Sequence, residues 1–289
     1  MEYRRRQIFS AHASAFGGHI IRPKDIVLEA PSASALTVVG GRSVGRIPAT
    51  EFGDFFKIKS ASTFAEGLFD DRKAFLALTH HEVDEQTLTA TTRVRAEVNG
   101  LVVGDLVGNE PRLTIRKLRA ALTGTTPLGS GQPSIRVDKD VVIEGITIDK
   151  YRLIVELQPT TFQRLDTQAK LLVAADDPAF LTSGGDAVFL RTPVAGHPAP
   201  PKTGRLIESS SGTIYATIVK SIKWDGKPFP KSEIDGNLVI VPELGRIYFG
   251  ELLISAHSRS LTMVRLELGS HTGGRAAAGG VEDNVMWGY

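Results

Sequence analysis

The chain has 289 residues, enough to bury a sizeable core without disulfides or metals. It has no cysteine, which removes disulfides, thiolate catalysis and Cys-ligated metal centres. Its 34 basic and 32 acidic residues leave a net charge of +2, which excludes a strongly basic nucleic-acid binder.

Hydrophobic residues at 42% and charged residues at 23% are globular values, and 29 glycines with 15 prolines suit many short strands better than long helices. No apolar run reaches the roughly 20 residues a helix needs to cross a bilayer. Arg4, Arg5 and Arg6 resemble the charged start of a signal peptide, but Ala11-His12-Ala13-Ser14-Ala15 is too polar for its apolar part. The expected location is cytoplasmic by the absence of a signal peptide, with a processed chain or export by another route as the alternatives.

In chain order, Ile20-Ile21, Ile26–Leu28 and Leu36–Val39 are short extended pieces broken by Gly17-Gly18, Pro23, Pro31 and Gly40-Gly41, the pattern of edge strands. Phe52, Phe55, Phe56 and Ile58 read as core. Ser60–Gly67 and Ala74–Thr79 read as two more strands. From Thr87 to Leu157 strand follows strand. Leu88, Ala90, Thr92, Val94, Ala96 and Val98 alternate with Thr89, Thr91, Arg93, Arg95 and Glu97, so one face is small and apolar and the other polar. The phase slips between Leu113/Ile115 and Leu118/Ala120/Leu122, which predicts a β-bulge near Arg116-Lys117. Val98-Asn99-Gly100-Leu101 and Ile143-Glu144-Gly145-Ile146 share a cadence, read as shared hairpin grammar.

Phe162, Leu165, Ala169, Leu172 and Val173 fall at helical spacing, and Thr160 with Gln163 forms a capping-box pattern. One helix over about 160–175 is predicted, plugging an open end or covering a sheet face. The Pro-rich stretch 191–205 is a surface loop or linker, and 206–268 holds hairpins of the same sheet system. Residues 269–289, rich in Gly and Ala, read as a mobile tail unless Val285, Met286, Trp287 and Tyr289 dock. The predicted fold is mainly β: an antiparallel sandwich or flattened barrel with one helix.

Several short pieces, Ala11-His12-Ala13-Ser14-Ala15-Phe16-Gly17, Ser60-Ala61-Ser62-Thr63, the Thr87–Val98 run and Gly236-Asn237-Leu238-Val239-Ile240-Val241-Pro242 leading into Leu244–Glu251, resemble the choice-of-anchor P type of bacterial surface protein. That resemblance implies an all-β, non-enzymatic, envelope-associated protein.

Three groups are candidates for chemistry. Gly41-Arg42-Ser43-Val44-Gly45 matches the G-x-S-x-G nucleophile pattern, which needs a sharp strand-to-helix turn at Ser43; Ile47-Pro48 follows at once, favouring a hairpin turn. His80, His81, Asp84 and Glu85 form the densest set of metal-ligand types, although adjacent histidines on a strand face opposite ways. Asp138, Asp140 and Glu144 lack the spacing of a calcium loop. Trp224, Phe229 and Tyr248 are the aromatics expected to line a sugar or lipid site at one end of a sandwich. The leading expectation is a non-catalytic structural protein that self-associates into a homo-oligomer through sheet edges or termini and needs no cofactor. The alternatives are a carbohydrate- or lipid-binding module, then a hydrolase using Ser43 or a carboxylate pair.

Overall fold

The computed structural model describes residues 6–22, 25–70, 88–105, 110–128, 132–175, 188–189, 214–269 and 273–288. Its strands in chain order are β1 (Arg6–Arg22), β2 (Ile26–Leu28), β3 (Ala33–Ala35), β4 (Gly41–Ile47), β5 (Thr50–Phe52), β6 (Phe56–Ile58), β7 (Ser60–Phe69), β8 (Thr89–Asp105), β9 (Glu110–Pro127), β10 (Ser134–Val137), β11 (Val142–Ile148) and β12 (Tyr151–Leu157). Helices α1 (Thr160–Arg164) and α2 (Gln168–Ala175) follow. The set continues with β13 (Val188–Phe189), β14 (Ile214–Thr217), β15 (Val219–Trp224), β16 (Glu233–Asp235), β17 (Leu238–Val241), β18 (Gly245–Ile254), β19 (Ser258–Leu268) and β20 (Gly273–Gly288). The fold is mainly β, as the alternation predicts.

Two antiparallel sheets make a sandwich. Sheet I runs β13-β14-β18-β19-β20-β1-β2, with β17 and β16 beyond β18 and β3 on β1; sheet II runs β15-β12-β11-β9-β8-β6-β5, with β7 and β4 beyond β8 and β10 on β9. Neither sheet closes into a barrel. Strands β1 and β20 cover β8 and β9. The small residues of these strands meet there: Ala11, Ala13 and Ala15 of β1, Ala276 and Ala278 of β20, Ala96 of β8 and Ala120 of β9 are all buried. Small side chains let two sheets approach closely, so this Ala/Gly-rich seam lies at the centre of the core.

The C-terminal segment corrects the reading of a mobile tail. Residues 273–288 are a strand paired to β1 on one side and β19 on the other. Its Gly and Ala content reflects a crowded seam, not freedom. Of the segment 206–268, residues 214–268 contribute to both sheets: β14 and β16–β19 lie in sheet I and β15 lies in sheet II.

The phase slip in β9 is real, but it is not a bulge. Asn99 pairs with Lys117 and Leu101 with Ile115, while Glu144 pairs with Lys117 and Ile146 with Ile115, so the register is unbroken around Arg116. Gly100 and Gly145 flank Arg116 from the two sides at φ of 63° and 65°. A side chain at either position would be strained there and would press on Lys59 or Arg116. The shared Gly cadence is therefore one device seen twice: two kinks at one level that turn every strand's inward face together. Sheet I repeats it, with Gly250 and Gly279 flanking Met263 at φ of 57° and 66°. At the same level the chain leaves β14 through Ile218 and enters the other sheet as β15.

The predicted single helix is two. The chain leaves helical geometry at Leu165, and the expected capping box at Thr160 is absent, since Pro159 holds the N-cap with no side-chain bond. The working cap lies seven residues on, where the Thr167 hydroxyl accepts the Lys170 N–H at 3.2 Å and opens α2. Phe162 and Leu171 are buried, whereas Ala169 and Val173 face solvent. Arg259, buried on β19 of sheet I, donates to the carbonyls of Phe162 and Leu165 and ties α1 down beside β10 of sheet II.

Candidate functional site

Strand β4 starts after Gly40 and Gly41, whose φ of 83° and 101° make the turn, and ends at Pro48. It pairs with β7 along its whole length, from Gly41 opposite Gly67 to Ile47 opposite Ala61. Its other edge has no strand partner among the described residues. The inner face is covered by β3, and a side chain at Gly45 would strike the hydroxyls of Thr63 and Ser32. Those hydroxyls bond to each other at 3.1 Å, and Thr63 bonds Ser34 at 2.8 Å. The fixed inner face holds the free edge in place.

The outer face of β4 carries Arg42, Val44 and Arg46. Val44 stands opposite Phe64 of β7, whose ring lies 5.1 Å from the Arg42 guanidinium and 5.8 Å from that of Arg95 on β8. A ring flanked by two guanidinium groups is a cation–π arrangement. Among the described residues, Arg42, Arg46 and Arg95 have no carboxylate partner, whereas nearby Arg119 sits 2.7 Å from Glu97 and Arg93 lies 3.5 Å from Glu66. Val44 and Leu68 are each 49% exposed, and Val38 and Val39, just before β4, are 64% and 77% exposed. Among the described residues, the surface combines a strand edge without a partner, exposed apolar side chains and three arginines that form no ion pair.

Ser43 lies on this strand. It faces inward opposite Ala65, and the chain runs on as one strand to Ile47. The strand-to-helix turn that a G-x-S-x-G nucleophile requires is absent at this position. His80, His81, Asp84 and Glu85 fall outside the described residues. Asp138, Asp140 and Glu144 do not converge: Asp138 accepts from Thr123, Asp140 pairs with Arg119 and Glu144 with Arg116.

Of the predicted aromatics, Trp224 and Phe229 come together and Tyr248 does not. Trp224 ends β15 and Phe229 lies in the turn after it, with ring centroids 6.3 Å apart. Tyr151 at the start of β12 completes the cluster, 5.1 Å from Phe229 and 6.3 Å from Trp224. Sequence reasoning missed Tyr151 because nothing local announces that β12 pairs with a strand about seventy residues later. All three rings are half-buried, and Arg152 and Asp225 form an ion pair beside them at 3.1 Å. Tyr248 lies in sheet I, 4% exposed, with the Arg265 guanidinium 3.6 Å above its ring. Arg265 in turn grips Glu251 with two bonds of 2.6 and 2.7 Å. Burial, then Glu267, raises the Tyr248 phenol pKa. Tyr248 is a packed member of that ion network.

With these arrangements in place, the family model for a "Domain of unknown function (DUF8256)" is found to match residues 7–183, more than half of the sequence. The chain belongs to the DUF8256 family. No curated protein and no solved structure matches it. In this DUF8256 chain the matched segment contains β1 to β12 and both helices, so the β4 edge with Phe64 and Arg95 lies wholly inside it. Strands β14 to β20, which complete both sheets, lie outside the match.

One further polar group lies deep in the DUF8256 sandwich. Asp283 of β20 is fully buried; its Oδ2 accepts the Thr92 hydroxyl at 2.6 Å and its Oδ1 has no hydrogen-bond partner. Gly124 makes the room, since a Cβ there would lie 2.3 Å from Oδ2. Burial, reinforced by Asp138 and Glu282, pushes this carboxyl up to about 7 against the pull of Thr92 and the Asn284 N–H.

Proposed function

We propose that the protein is a non-catalytic interaction module that joins extended chains, a second copy or another protein, by strand addition at β4. The observation that carries this reading is the asymmetry of β4: seven residues paired on one side, with no described strand on the other, on a face fixed from beneath by β3. An open edge offers unpaired N–H and C=O groups to an incoming strand. Among the described residues the other strands paired on one side only are shorter: β2, β3, β5 and β16 have three residues each, β13 two, β10 four and β15 six. The likeness to choice-of-anchor P surface proteins supports the same non-enzymatic reading.

The test pairs light scattering after size exclusion with binding of a short labelled peptide that alternates threonine and valine. Successive N–H groups of a strand point to opposite neighbours, so either Ser43→Pro or Val44→Pro removes a donor from the open edge alone. Self-association or peptide binding that one of these folded variants abolishes supports the reading. A monomer at every concentration that also ignores the peptide overturns it.

A second reading rests on the Tyr151–Trp224–Phe229 cluster, whose rings beside the Arg152–Asp225 pair have the mixed stacking and hydrogen-bonding character of a carbohydrate platform. Binding of soluble β-glucan oligosaccharides that Phe229→Ala weakens would support it; no binding at millimolar concentration would not.

A further inference from the structure

We infer that the strand taken up at β4 is an acidic one, not a second copy of β4. This inference rests on the strand-addition reading above. The sequence of β4, Gly41-Arg42-Ser43-Val44-Gly45-Arg46-Ile47, contains two arginines and no carboxylate. In an antiparallel pair of two copies centred on Val44, Arg42 of each would stand directly opposite Arg46 of the other. Slipping the register by two residues in either direction puts arginine opposite valine but leaves the arginines of the two copies diagonal neighbours. A slip by one turns the inner residues of one copy onto the outer face. Like charges opposite or diagonal on one sheet face oppose pairing. No face-preserving register escapes this.

The same arithmetic favours a strand whose outward residues are Asp or Glu. Carboxylates opposite Arg42 and Arg46 would meet cations that form no ion pair among the described residues. The partner is thus an extended polypeptide in which acidic residues alternate with others. Backbone pairing sets the affinity and the arginines set the choice.

The experiment compares fluorescein-labelled peptides alternating valine with glutamate, threonine or lysine, by anisotropy on the intact protein at low and at high salt. The glutamate peptide should bind about ten-fold tighter than the threonine peptide at low salt, with the advantage largely lost in high salt. The double variant Arg42→Glu/Arg46→Glu, changed at exposed positions only, should prefer the lysine peptide instead. Equal binding of the glutamate and threonine peptides overturns the acidic preference and leaves strand addition standing. No binding by any peptide, with the protein monomeric, overturns both. A heparin oligosaccharide that binds as tightly as the glutamate peptide and is indifferent to Ser43→Pro and Val44→Pro would show a general polyanion patch and overturn the strand. So would a dimer that the glutamate peptide cannot dissociate.

Discussion

Replacing Asp283 by asparagine should make the protein more stable in alkali, and the gain should vanish in mild acid. The carboxyl is buried with one oxygen unpartnered and has its pKa raised from 3.8 to about 7. A carboxyl raised in the folded state binds its proton more tightly there than in the unfolded chain. Its contribution is therefore complete below pH 3.8 and is lost as the pH rises to about 7, beyond which the loss is constant. The slope is about 1.4 kcal/mol per pH unit, so the full loss is roughly 4 kcal/mol, of which about 3 kcal/mol falls above pH 5. The substituted amide cannot ionise and escapes that loss, though it leaves a buried N–H₂ without an acceptor at a cost of about 1–3 kcal/mol. Urea denaturation of both proteins at pH 5 and pH 9 measures the difference. D283N should lie close to the parent at pH 5 and gain about 3 kcal/mol on it between pH 5 and pH 9. A difference that is the same at both pH values would refute the reasoning, because it would mean that Asp283 ionises as readily in the fold as outside it.

Gly124→Ala places a methyl against Asp283 Oδ2 and Thr92 Oγ1 and should cost about 1–3 kcal/mol in urea melts, as overpacking does. A neutral result would mean that the seam between β9 and β20 is looser than described. Arg259→Met fills much of the same space but strands the Phe162 and Leu165 carbonyls, so it should lower stability by about 2–4 kcal/mol, with a loss of helical circular dichroism from α1.

What the sequence reveals and conceals follows from range. The alternation from Leu88 to Val98 is visible because each strand carries its own inside-out pattern, and the burial of Leu88, Ala90, Val94, Ala96 and Val98 follows it. The slip at Arg116 is visible as a change of phase. Its cause is not, because Gly100 and Gly145 lie on two other strands and act on Arg116 only after pairing. Strand β20 is misread for a similar reason: Gly and Ala look like freedom in the chain, yet between β1 and β19 they are what a narrow seam admits. The Thr160–Gln163 pattern resembles a cap, but Thr167 opens the longer helix because α1 is ended early, where Arg259 takes its carbonyls. Of the candidate site, Ser43 draws attention to the right strand through an unrelated motif. What makes β4 a surface of interest, an edge and arginines with no partner among the described residues, is a property of the assembled sheet.

Strand addition requires β4 to have a free edge, and amide hydrogen exchange resolved by residue across Gly41–Ile47 tests this most directly. In the isolated protein, protection should alternate along the strand, with the amides bonded to β7 slow and those facing outward fast; adding the glutamate–valine peptide should slow the fast set alone. Uniform protection of all these amides in the isolated protein would show the edge already occupied and would contradict the account.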